Sequence, residues 1–179
     1  MAISTFDGPV RSLGGMFQQG PASVVSITAS TTLTPNNHAG RVISVGGTIA
    51  SNIVLTLPAI NTSANPVSSG PGQDPNTLNN LGVTYTIWIP TTIATSSVKI
   101  GTNGTDKFIG SILSVATDAA GAMVAFTAGA TNDFINLNGT TTGGIAGTWI
   151  QITAIAALKY MVTGVALGSG TVATPFADS

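Results

Sequence analysis

Polar and apolar residues alternate with a period of two along much of the chain. In Val83-Thr84-Tyr85-Thr86-Ile87-Trp88-Ile89, one face carries Val83, Tyr85, Ile87 and Ile89. In Ile53-Val54-Leu55-Thr56-Leu57, Ile53, Leu55 and Leu57 share a face. Successive side chains of a strand point to opposite sides, so this period predicts strands with one buried face. Thr148-Trp149-Ile150-Gln151-Ile152-Thr153 is partly apolar on both faces, which predicts a more central strand. Trp88 and Trp149 both fall within such segments, and core packing is the expectation for them. The same reading places strands at 23–29, 40–45, 52–57, 83–89, 97–100, 107–116, 121–127, 133–137, 148–156 and 159–165. Thr, Val and Ile are stiff at χ1 and suit a pleated surface. No long segment keeps a 3.6-residue apolar period without a Gly, Pro or Thr cluster breaking it. The expected fold is all-β: a single sandwich, jelly-roll-like or barrel-like domain of about ten short strands.

Turn residues punctuate these segments. Residues 35–40 join Leu33 to Val42, Asn103-Gly104 lies between Ile100 and Phe108, and Asn138-Gly139 follows Leu137. Asn-Gly supplies the positive φ angles of tight hairpins, so hairpins are expected there. Residues 58–80 hold four of the nine prolines and show no period, which predicts a long exposed loop. Residues 1–22 differ from the rest. Gly8, Gly14, Gly15, Gly20, Pro9 and Pro21 discourage regular structure, yet Phe6, Val10, Leu13, Met16 and Phe17 are apolar. An extended N-terminal arm that docks on another surface fits this better than a frayed end. The organisation is thus an arm at 1–22 and one β-domain at 23–179.

Composition narrows the function. The 179 residues are 43% hydrophobic but only 6% charged, against a usual charged share of about 25%. The charges are Arg11, Arg41, Lys99, Lys107 and Lys159 against Asp7, Asp74, Asp106, Asp118, Asp133 and Asp178. Five scattered cations make a poor nucleic-acid surface, so no nucleic-acid partner is expected. With no Cys, the chain has no disulfide, thiolate metal site or cysteine nucleophile. The longest apolar stretch, 150–167, is interrupted by Gln151, Thr153, Lys159, Thr163 and Gly164, so no membrane partner is expected. Residues 1–20 lack a basic stretch followed by an apolar one, and the chain reads as folded where it is made. The 27 Thr, 16 Ser and 12 Asn supply a polar surface without charge.

Catalytic chemistry is poorly supplied. The single His38 lies in the turn-like run Asn37-His38-Ala39-Gly40, where a surface turn residue is the expectation. A glycosidase needs two carboxylates, but Asp7 lies in the arm, Asp74 in the long loop and Asp178 near the end. Asp106, Asp118 and Asp133 sit beside Gly, Asn and Thr, where Asp commonly bonds its own backbone. Residues 133–139 lack the oxygen ligands and final Glu of an EF-hand loop, and 143–147 and 164–170 lack the ending of a phosphate loop. Asn61-Thr62-Ser63, Asn103-Gly104-Thr105 and Asn138-Gly139-Thr140 match the glycosylation pattern by coincidence in a chain read as unsecreted. The expectation is a protein that is not an enzyme and holds no cofactor or metal. A weakly charged β-domain with an apolar arm suits assembly, because identical copies pack without like-charge repulsion.

Three stretches carry a resemblance. They are Phe6-Asp7-Gly8-Pro9-Val10-Arg11-Ser12-Leu13-Gly14-Gly15; residues 26–34 through His38-Ala39-Gly40-Arg41-Val42-Ile43 with Leu55-Thr56-Leu57-Pro58; and residues 133–144 through Trp149-Ile150 to residues 170–176. In these the chain resembles small virion structural proteins of tailed bacteriophages, of the capsid decoration or cement type. The resemblance implies a protein made in the host cytoplasm that binds the outer surface of the virion capsid. Its implied partners are the major capsid protein and further copies of itself, as a trimer. It also implies capsid binding through the arm, with Phe6, Pro9, Val10, Leu13, Met16 and Phe17 as apolar contacts and Arg11 for a charged partner. The alternative is a receptor- or glycan-binding fibre or spike module of the virion.

Overall fold

Each of the ten alternating segments becomes a strand, and two strands of two residues join them. The computed structural model describes residues 19–46, 51–64, 74–118 and 121–179. Among these, β1 (Val24–Ile27), β2 (Thr31–Thr32), β3 (Val42–Val45), β4 (Ile53–Thr56), β5 (Thr84–Trp88) and β6 (Val98–Gly101) come first. Then follow β7 (Lys107–Ala116), β8 (Met123–Thr127), β9 (Phe134–Leu137), β10 (Trp149–Ala156), β11 (Lys159–Gly168) and β12 (Phe176–Ala177). One helical turn, α1 (Pro35–His38), lies between β2 and β3. The strands form two mixed sheets, one of seven in the order β1-β3-β5-β10-β11-β7-β8 and one of five in the order β12-β9-β6-β4-β2. The fold is all-β and sandwich-like.

The chain changes sheet at almost every connection. β1, β3 and β5 lie side by side and parallel in the large sheet, while β2, β4 and β6 do the same in the small one. A chain that crosses over and back before laying its next strand returns in the same direction, which is why these neighbours are parallel. Residues 35–40 and Asn103-Gly104 therefore carry the chain between sheets and do not close hairpins, contrary to expectation. Their glycines still take left-handed φ angles, 66° at Gly40 and 85° at Gly104. The local backbone geometry was readable, but which strand came next was not. Asn138-Gly139 likewise leads from β9 in one sheet to β10 in the other. Among the described residues the antiparallel neighbours in sequence are β7–β8 and β10–β11. The second turns at Leu158, which has a φ of 61° without being glycine.

The core is the inward half of each alternation. From the large sheet come Ile43, Val45, Tyr85, Ile87, Phe108, Ile112, Ile150, Ile152, Tyr160 and Val162. From the small sheet come Ile53, Leu55, Val98, Ile100, Ile135 and Leu137, all buried.

Polar clamps fasten the ends of the sandwich. Asp133, before β9, accepts a hydrogen bond from Lys107 Nζ at 2.8 Å, and also bonds from the Ser179 backbone N–H and hydroxyl. The described ends of 58–80 are similarly tied. The Tyr160 hydroxyl donates to the Pro58 carbonyl at 2.7 Å, and the Ile60 N–H donates to Asp106 at 3.0 Å. Asn80 donates to the Ala59 carbonyl, accepts from the Asn61 N–H and is buried. The base of this segment is thus part of the folded body, because a run of asparagines satisfies its own backbone.

Candidate functional site

Strand register assembles a surface from residues far apart in sequence. In one row across the outer face of the large sheet, Ser26, Ser44, Trp88, Trp149, Val165, Leu113 and Ala125 lie opposite one another in turn. Alternation puts them outside because their neighbours Ile87, Ile150 and Ile112 point into the core. Leu167, Val115 and Met123 form the next row on one side. Thr86, Gln151, Thr163, Ser111 and Thr127 form the next row on the other side. The result is an apolar strip bordered by hydroxyls and an amide.

Trp88 and Trp149 are direct partners in this strip and are 40% and 41% exposed. This corrects the expectation that they pack in the core. The sequence signal was available, since both fall on the face opposite the buried isoleucines. Two large rings side by side and half open are unusual, because single exposed apolar residues are common but clustered ones mark contact surfaces.

The polar residues considered for chemistry are tied into the fold. His38 is buried rather than on the surface, at the end of α1. The Thr34 N–H donates to its Nδ1 at 2.9 Å. Burial pushes the imidazole below the ordinary His value, a hydrogen bond to Thr34 opposes this, and the Arg41 charge adds to the lowering. Asp118 accepts from the Gly170 N–H, and Asp74 accepts from the Asn76 N–H. Asp106, Asp118 and Asp133 thus bind groups distant in sequence rather than only their own turns. For Asp133, burial alone would raise the pKa, but hydrogen bonds from Lys107 and Ser179 and the Lys107 charge outweigh it and lower the value.

Among the described residues no group of three or more His, Asp or Glu side chains is placed to hold a metal. No described helix is long and apolar enough to cross a membrane. Phe6, Pro9, Val10, Arg11, Leu13, Met16 and Phe17, the expected capsid contacts, lie outside the described residues. No protein-family model, curated protein or solved structure matches the chain.

Proposed function

We propose that the chain is a non-enzymatic virion structural protein that decorates and stabilises the outer surface of a tailed-phage capsid. In this reading the arm at 1–22 holds the major capsid protein, and the β-domain meets two further copies through its large sheet. The observation that carries the assembly part is the Trp88–Trp149 strip. With these rings 40% and 41% exposed, each leaves roughly 100 Å² open, and covering it contributes about 2.5 kcal/mol. Lys107 and Lys159 lie opposite each other beside the turn at Leu158, away from the tryptophan row. Identical copies therefore meet along the strip with little like-charge repulsion. Association itself costs several kcal/mol, so the two rings suit a modest contact that multiple arms reinforce. The resemblance in residues 6–15, 26–43 with 55–58, and 133–150 with 170–176 supports the capsid as the platform.

The experiment adds purified chain to undecorated heads and compares wild type with a deletion of 2–19 and with Trp149→Lys. Expected are loss of head binding for the deletion, and a monomeric mass with weakened head binding for the charge variant. Wild-type decoration by the deleted form would overturn the arm assignment. A monomeric wild type in sedimentation, together with isolated copies on decorated heads, would overturn the self-assembly.

A further inference from the structure

On the opposite side of the sandwich, the outer face of the small sheet holds a cleft of about 340 Å³ near its β12 edge. It is lined by Lys99, Phe134, Asn136, Ala177, Asp178 and Ser179. Register again explains the grouping. Phe134 stands between Gly101 on β6 and Ala177 on β12, and Asn136 stands opposite Lys99. Adjacent strands lie about 5 Å apart and same-face residues about 7 Å apart, so the floor matches one pyranose ring.

The floor is an aromatic ring held down on the sheet. A Cβ placed on Gly101 would lie 2.6 Å from Phe134 Cε1 and 2.9 Å from Cζ, so the ring occupies the space a side chain at 101 would take. Phe134 is half-buried, so part of its ring stays open to the cleft that it lines. The rim is polar and mixed in charge. Asp178 is held by the Thr131 hydroxyl at 3.0 Å and the Asn132 amide at 2.7 Å, which fixes its carboxylate as an acceptor. Lys99 is exposed and makes no hydrogen bond or ion pair among the described residues. Asn136 Oδ1 is buried without a hydrogen-bond donor among them, and such acceptors are rare in folded proteins.

These features select a ligand class. Lys99 and Asp178 offset each other, so neither an anion nor a cation gains from the charge. The open part of the Phe134 ring favours a ligand with an apolar C–H face. A fixed acceptor and a free ammonium favour hydroxyls that both donate and accept. We infer that this cleft binds a neutral, pyranose-containing saccharide, stacked on Phe134 and hydrogen-bonded by Asp178 and Lys99. The inference does not depend on the capsid assignment. Its size suits one or two sugar rings, and a single site of this kind binds with a dissociation constant on the order of 1 mM.

The test is saturation-transfer NMR on the full chain with methyl α-glucoside, methyl β-galactoside and methyl N-acetyl-β-glucosaminide, combined with ¹⁵N shift mapping. At least one glycoside should receive saturation at its ring C–H protons and shift the amides of Lys99, Phe134, Asn136 and Ser179. Phe134→Leu, which keeps an apolar floor without an aromatic ring, should weaken binding by about tenfold while the circular dichroism of the sheets is unchanged. Asp178→Asn provides a second variant that leaves the core untouched, and it should weaken binding severalfold. The inference is overturned if no glycoside binds at about 50 mM, if the shifts map to Trp88 and Trp149, or if neither variant changes affinity.

Discussion

Replacing Asp133 by Asn tests the clamp that ties the two sheets and the chain after β12 together. The Asp133 side chain is 2% exposed and its partner Lys107 27% exposed. One carboxylate oxygen accepts from the Ser179 N–H, and the other accepts from Lys107 Nζ and the Ser179 hydroxyl. An amide keeps the first contact and turns N–H donors toward the second pair. Hydrogen bonds to charged groups contribute about 1.5–3 kcal/mol, and removing one member of a buried pair costs about 3–5 kcal/mol. Lys107 is partly solvated and also donates to the Gly104 carbonyl at 2.8 Å, so the first of these ranges applies. Asp133→Asn should therefore lose about 2–3 kcal/mol at pH 7 in urea unfolding followed by circular dichroism, with an unchanged slope. The pH dependence carries a sign. The folded carboxyl titrates below its ordinary value, so its stabilisation is present above the unfolded value of about 3.9 and is lost as pH falls through the folded value. Wild type and variant should converge in acid. Equal stability at pH 7, or a gap undiminished at about pH 2, would refute the reasoning.

Two further substitutions probe the fold. Tyr85 is fully buried and its hydroxyl has no partner among the described residues, so Tyr85→Phe should leave the protein equally stable or about 1 kcal/mol more stable. A loss above 1 kcal/mol, by the same unfolding assay, would mean that the hydroxyl is satisfied. Leu158 holds a φ of 61° while 51% exposed, so Leu158→Asn should relieve left-handed strain at little cost in burial. It should gain about 0.5–1 kcal/mol and raise the thermal midpoint by a few degrees, and a lowered midpoint would contradict this.

The alternation of Ile53, Leu55 and Leu57, and of Tyr85 and Ile87, was enough to determine the strands, their inward faces and the all-β class. The period of a strand is a local property, and burial of one face follows from it directly. The same period sets Phe134 and Asn136 on the face opposite Ile135 and Leu137, but that this face borders a cleft was not legible in it. β2 and β12, each of two residues, were not legible either, because so short a segment carries no period. Nor was the parallel winding of β1 to β6 legible, because the left-handed glycines at Gly40 and Gly104 serve a sheet-to-sheet crossing as readily as a hairpin. Trp88 and Trp149 are 61 positions apart in the numbering, and only the β5–β10 register sets them side by side. Lys99, Phe134 and Asp178 likewise meet only where β6, β9 and β12 are neighbours. Pairing between strands is made by backbone groups that every residue carries, so the chain encodes which face each side chain takes, while the packing of the whole core decides which faces adjoin.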